Sequence, residues 1–261
     1  MLLAIDVGNT NTVFALYEGE RRLESWRLAT VRDRTADEYA LALVQLMEMA
    51  GFVPRRIEQA IASSVVPQAN MALRWMCRDR LRCPIAFVGQ EIEVPIKVLL
   101  ANPHEVGADR LVNAYAAHRR HGGDLIVIDF GTATTFDVVD ASGGYHGGII
   151  APGVNLSLEA LNRAAAKLPR IGIEKTAKVI GDSTVSAMQS GVFWGYVALI
   201  EGLVARIRAE FGRPMGVIAT GGLAPLFGGA TQAIDQIDRD LTMIGLVDLF
   251  RAGVARVETP G

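Results

Sequence analysis

The chain has 261 residues, half of them hydrophobic, with 26 lysines and arginines against 28 aspartates and glutamates. That length buries a sizeable core in one large domain or two small ones, and a net charge of −2 gives no reason to expect a nucleic-acid or anionic-membrane surface. Two cysteines, Cys77 and Cys83, are too few for a disulfide framework and match no common metal spacing.

The opening MLLAIDVGN lacks the basic start of a signal peptide, and no apolar run approaches the roughly 20 residues that span a bilayer, so a cytoplasmic protein is expected. Three strands are predicted first, over Leu2–Val7, Thr12–Tyr17 and Leu23–Leu28, joined by turns short enough to make an antiparallel meander. A helix over Ala36–Ala50 follows, with Thr35 as its N-cap and Gly51 as its stop. Then come a strand over Gln59–Val66 ended by Pro67, a helix over Asn70–Leu81 and a short strand over Ile85–Val88. The extended run Ile92–Leu100 carries Pro95, which suits an edge. Glu105–His121 reads as a helix, and His118 and His121 as its solvated end.

The pattern strand, polar turn, strand, turn, strand then returns in LIVIDFGTATTFDVVDASGGYHGGII. Ile5–Thr12 laid over Ile128–Thr135 matches Asp, Gly and the last Thr at a constant offset of 123, which suggests two similar half-molecules rather than a solenoid. Helices over Asn155–Ala166 and Asp182–Phe211, a strand over Met215–Thr220 and a last helix over Arg239–Arg251 complete the reading. The expectation is an α/β fold in two halves, residues 1–120 and 121–261, each opening with a three-stranded meander. The two face each other across a cleft, and the last helix packs back on the first half. Gly191, Gly195 and Gly202 in Asp182–Phe211 each cost about 1 kcal/mol in a helix interior, so they mark either close packing against a neighbour or a break in the helix.

Asp6-Val7-Gly8-Asn9-Thr10-Asn11-Thr12 is either a plain hairpin turn or a phosphate site. In the second reading glycine lets the backbone approach an anion, and N–H, Asn and Thr groups donate to it. An acid beside phosphates then calls for a cation, and Asp6 reads as a Mg²⁺ holder. The second copy, Asp129-Phe130-Gly131-Thr132, favours the phosphate reading. Thr220-Gly221-Gly222 leaves a bare surface suited to a base or ribose. Gly107-Ala108-Asp109-Arg110 enters a helix, where Asp109 is either a favourable charge at the helix start or a proton acceptor beside an arginine that holds an anion. No G-x-x-x-x-G-K-[ST] or protein-kinase glycine loop occurs.

Together these segments resemble the actin/hexokinase/Hsp70 superfamily, and within it the type III pantothenate kinases. The resemblance is carried by Asp6–Thr12, Ser63-Ser64-Val65-Val66-Pro67, Asn102-Pro103 with Gly107–Arg110, Asp129–Thr135, Gly147–Gly153 and Thr220–Gly222. It implies two ribonuclease-H-like (actin-like) halves around a nucleotide cleft, and ATP-dependent phosphorylation of the primary hydroxyl of pantothenate, the first step of coenzyme A synthesis. It puts ATP phosphates on Asp6, Val7, Gly8, Asn9, Thr10, Asn11, Thr12, Val13 and Thr132, with Gly221 and Gly222 at the nucleoside. Pantothenate falls on Leu100, Gly107, Ala108, Asp109, Arg110 and Thr184, with Asp109 the general base. Asp6 becomes the Mg²⁺ ligand and Asp129 a ligand for potassium or ammonium. A homodimer is implied, with the glycine-bearing helix in a packing role. Leu100 departs from the aromatic residue many members carry there, so the pocket keeps an apolar wall and loses a phenol hydroxyl. A different phosphotransferase or phosphohydrolase of the superfamily, or a non-catalytic nucleotide-binding regulator, remains open.

Overall fold

The computed structural model describes residues 1–164 and 169–254. The chain divides into two compact units. Unit 1 comprises Met1–Ile96, Asn102–Ala116 and the segment from Leu241; unit 2 comprises Lys97–Ala101 and Ala117–Asp240.

Unit 1 is built on β1 (Leu2–Val7), β2 (Asn11–Glu18), β3 (Arg21–Ala29), β4 (Gln59–Ser64) and β5 (Ile85–Phe87), in the sheet order β3-β2-β1-β4-β5. The first three strands form the antiparallel meander expected of their short turns, and β4 and β5 add on in parallel. Alternation decides the layers. Leu3, Ile5 and Val7 of β1 point to one face, packed with Tyr39, Leu43 and Met47 of α1 (Ala36–Met49) and Leu73 of α2 (Pro67–Trp75). Leu2 and Ala4 point to the other, against Val112 and Tyr115 of α3 (Ala108–His121). Thr35 caps α1 in a reciprocal capping box with Glu38.

Unit 2 repeats the plan. The strands β6 (Leu125–Phe130), β7 (Ala133–Val139) and β8 (Tyr145–Pro152) form the second meander. The parallel strand β9 (Gly216–Gly221) and the two-residue β10 (Gln236–Ile237) extend it to the order β10-β9-β6-β7-β8. Between β8 and β9 lie α4 (Val154–Ala164) and α5 (Thr184–Phe211), and α6 (Ala224–Gly228) follows β9. Phe193, Val197, Ile200 and Val204 of α5 are buried against Ile126, Ile128 and Phe136 of the sheet. Of the described helices α5 alone is long and apolar enough to cross a membrane, and these side chains make it a core helix. The chain ends its described part with α7 (Leu241–Leu249), which packs on β1 and β4.

Several expectations need correction. The second helix begins at Pro67 rather than Asn70, since proline suits a first helical turn, and widens to a π-helix over Met76–Leu81 that closes on Arg82 at φ 60°. Ile92–Leu100 is extended but joins neither sheet as a strand: it makes the isolated bridges Val88–Ile92 and Val98–Tyr145, and Ile92 and Val94 pack with Leu2, Ala4 and Tyr17. The helix read over Asp182–Phe211 is continuous from Thr184, with Ser183 as its cap, so its glycines do not break it. The helix read over Asn155–Ala166 runs from Val154 to Ala164, and its expected last two residues lie outside the described residues. His118 and His121 are not a solvated end: His118 Nδ1 and His121 Nε2 are buried without hydrogen-bond partners, and His118 packs on Gly143. Cys77 and Cys83 are buried free thiols.

The register also revises the internal repeat. In unit 1 Asp6 pairs with Val13 and Val7 with Thr12; in unit 2 Asp129 pairs with Thr135 and Phe130 with Thr134. The second turn is one residue shorter, so the counterpart of Thr12 is Thr134, not Thr135. Both are fully buried.

Candidate active site

The first turn closes at the end of β1, where Gly8 N–H donates to Asn11 O at 2.9 Å. Gly8 is not in the left-handed region; its bare Cα is matched to the carbonyl of Asn11, which a Cβ would meet at 3.2 Å. Asn9, Thr10 and Asn11 are exposed, and Asp6 and Val13 half-buried. Thr12 is a strut rather than a surface group: its Oγ1 is 2.9 Å from Thr30 Oγ1, which donates to Gly8 O at 2.8 Å. Val7 is fully buried in the apolar core, leaving only its backbone for contacts, and its carbonyl accepts Val65 N–H at 3.0 Å.

Val65 links this turn to the Gly107 loop. A Cβ at Gly107 would lie 3.8 Å from Val65 Cγ1 and 2.6 Å from Asp109 Oδ1. The Asp109 carboxylate therefore folds over the bare Gly107 Cα, in the space any side chain would take. Oδ1 accepts the Arg110 N–H at 2.8 Å, so one oxygen satisfies a helix-start donor that would otherwise be idle. Burial pushes the Asp109 carboxyl above its ordinary value, and the N–H and charge of Arg110 offset this only in part. Desolvation is the largest influence on this carboxyl, ahead of Arg110.

In unit 2 the shorter turn closes through Gly131 N–H to Ala133 O at 3.0 Å, leaving Thr132 exposed at its tip. Gly153 N–H donates to Thr132 O at 3.1 Å, and a Cβ on Gly153 would stand 2.2 Å from that same oxygen. Gly221, at φ +91°, brings its Cα against Asp129: a Cβ there would be 2.7 Å from Asp129 Oδ1. Asp129, Gly131 and Gly221 thus gather at one end of this sheet, with Gly222 exposed beside them. Leu100 is fixed by the neighbouring bonds Tyr145 N–H to Lys97 O and Leu99 N–H to Tyr145 O, both 2.8 Å, and covers Gly147 (φ +103°).

Thr184, at the start of α5, lies on an open apolar hollow of about 800 Å³ walled also by Pro152, Ser157, Gly191, Gly195 and Tyr196. Tyr196 OH donates to Pro152 O at 2.8 Å and stands 2.6 Å from Ser157 Oγ. Pro152 precedes the Gly153 that braces Thr132, so the hollow and the turn share a wall. Ser157 and Tyr196 carried no sequence signal; they meet across 39 residues. Among the described residues no three His, Cys, Asp or Glu side chains gather into a metal cage. A single carboxylate such as Asp6 suits Mg²⁺ shared with phosphate oxygens and water. The bare Gly221 Cα lets β9 lie close against Asp129 and the Phe130 backbone, which a Cβ would meet at 2.7–2.8 Å.

Comparison with known proteins agrees over most of the chain. Residues 2–206 match the family model described as type III pantothenate kinase. The chain is similar to the type III pantothenate kinase of Phenylobacterium zucineum, 56% identical over 98% of this chain and 100% of that one. It is similar also to that of Rhodospirillum rubrum, 58% identical over 96% and 98%. Among solved structures, a Campylobacter jejuni protein described as a Baf family transcriptional activator superposes at a TM-score of 0.61, covering 96% of this chain and 98% of that one. At 18% identity it speaks for the fold alone.

Proposed function

This chain belongs to the type III pantothenate kinase family, and we infer that it transfers the terminal phosphoryl group of ATP to the primary hydroxyl of pantothenate, opening coenzyme A synthesis. The observation that carries this is identity of 56% over 98% of this chain and the full length of a pantothenate kinase. Phosphoryl transfer asks a protein chiefly for positioning and charge neutralisation, and the groups described above are of that kind.

In this reading Asp109 is the general base. Its carboxylate takes the proton of the pantothenate hydroxyl as the hydroxyl oxygen bonds to phosphorus and ADP departs. A carboxylate pushed upward by burial is a better proton acceptor than an exposed one. Arg110 holds the carboxylate end of pantothenate, and Gly107, Ala108, Leu100 and Thr184 shape its pocket. The turn Asp6–Val13 and Thr132 receive the phosphates through N–H, amide and hydroxyl donors, and Gly221 and Gly222 leave a flat bed for the nucleoside. Mg²⁺ at Asp6 and potassium or ammonium at Asp129 would neutralise charge on the transferring group. The exposed small residues Gly191 and Gly195 form the seam of a homodimer, and the cytoplasm is the compartment where the substrates meet. ADP release measured with and without pantothenate tests the reading; release that ignores pantothenate would overturn it.

A further inference from the structure

The parallel ladder between β1 and β4 sets Ser63 opposite Asp6. Paired residues on adjacent strands leave the sheet on the same face, about 4.8 Å apart, so the Ser63 and Asp6 side chains start side by side, within reach of each other. Ser63 is fully buried, and its Oγ has no hydrogen-bond partner. An idle buried hydroxyl is destabilising and calls for an explanation. The next residue gives the contrast: Ser64 Oγ accepts Val66 N–H at 3.2 Å and donates to Val66 O at 3.3 Å. The rest of β4 is apolar at Ala60, Ile61 and Ala62, so packing alone does not ask for a hydroxyl at 63.

The arrangement occurs twice. In unit 2 the parallel ladder between β6 and β9 sets Thr220 opposite Asp129, again buried, and again after the apolar run Val217, Ile218 and Ala219. Each acid at a sheet end has a hydroxyl residue at the paired position of its parallel neighbour.

We propose that Ser63 is a positioning residue for Asp6: its Oγ–H donates to the carboxylate when Asp6 takes up a divalent cation, and so fixes which oxygen faces the metal. Ligating carboxylates are oriented by such bonds, whose loss commonly weakens metal affinity 10–100-fold. The proposal rests on the assignment of Asp6 to the metal in the reading above.

The test uses the full chain with a non-hydrolysable ATP analogue and Mn²⁺ as the probe, its binding read by electron paramagnetic resonance. Ser63→Ala should weaken Mn²⁺ binding to the protein–analogue complex about 10-fold or more. Its melting temperature without nucleotide should be unchanged or raised, because the deleted hydroxyl had no partner. Ser64→Ala should do the reverse, melting lower and binding Mn²⁺ normally. Mn²⁺ affinity within about twofold of wild type in Ser63→Ala, whatever its melting temperature, overturns the proposal. If Asp6→Asn binds Mn²⁺ normally, the proposal falls with the metal assignment. Pantothenate-dependent turnover of the wild type stands or falls separately, so the two failures can be told apart.

Discussion

Asp109 receives opposing influences from its surroundings: burial raises its carboxyl pKa, and the Arg110 N–H and guanidinium lower it, with a net rise. An acid whose pKa is raised on folding binds more protons folded than unfolded. Stability therefore falls as pH climbs from the ordinary carboxylate value through the folded one, and at neutral pH the ionised group is a liability. Asp109→Asn removes that charge and keeps an oxygen for the Arg110 N–H. Its melting temperature at pH 7 should equal or exceed wild type, with the advantage vanishing at acid pH. Turnover should fall about 10²–10⁴-fold with ATP-analogue affinity little changed. A variant with wild-type turnover would leave Asp109 as a helix-start residue only. The loop itself was legible in the sequence, because glycine two residues before an acid at a helix start is a local signal. The direction of the pKa balance was not, since desolvation depends on what the fold stacks around the carboxyl. Thr12 shows the same limit: a polar residue in a turn motif reads as a surface donor, yet the fold turns it inward to Thr30.

Among the elements, the two meanders were plain from alternation and short turns, and β1 and β6 run as the sequence indicated. What escaped was register. A one-residue difference between the turns is invisible when Asp, Gly and Thr align by eye, and only the ladder exposes it. The glycine run of β8 likewise stands out in the sequence as a motif, but its cause does not. That cause is close packing: a Cβ at Gly148 would come within 1.9 Å of Phe136 O, and one at Gly153 within 2.2 Å of Thr132 O. Gly153→Ala should therefore push the Thr132 turn away. Overpacking of this kind costs about 1–3 kcal/mol, so the variant should melt lower and bind an ATP analogue more weakly. Wild-type values for both would mean that Gly153 does not brace the turn.

At the scale of the whole molecule, α5 buries one side in unit 2 and leaves Gly191 and Gly195 exposed, where a Cβ would meet nothing within 4 Å. Those glycines have no packing reason within the described chain, which is the ground for assigning them to a second copy. Gly195→Leu should then fold normally and shift sedimentation from about twice 28.1 kDa toward 28.1 kDa. Wild-type dimerisation in this variant, or a wild-type monomer, would remove the seam. The sequence could mark these glycines as unusual but not say whether the helix breaks or packs, because both relieve the same helix-propensity penalty.

The central claim is phosphoryl transfer to pantothenate, and a coupled assay of ADP release by the purified full chain tests it most directly. With Mg²⁺ and potassium present, the account predicts little release from ATP alone and a large increase on adding pantothenate. Phosphorylated pantothenate should form mole for mole with ADP, and the rate should fall when sodium replaces potassium. Equal rates in the two salts would take Asp129 out of its ion role. ADP release that is the same with and without pantothenate, or nucleotide binding with no release at all, would contradict the account itself.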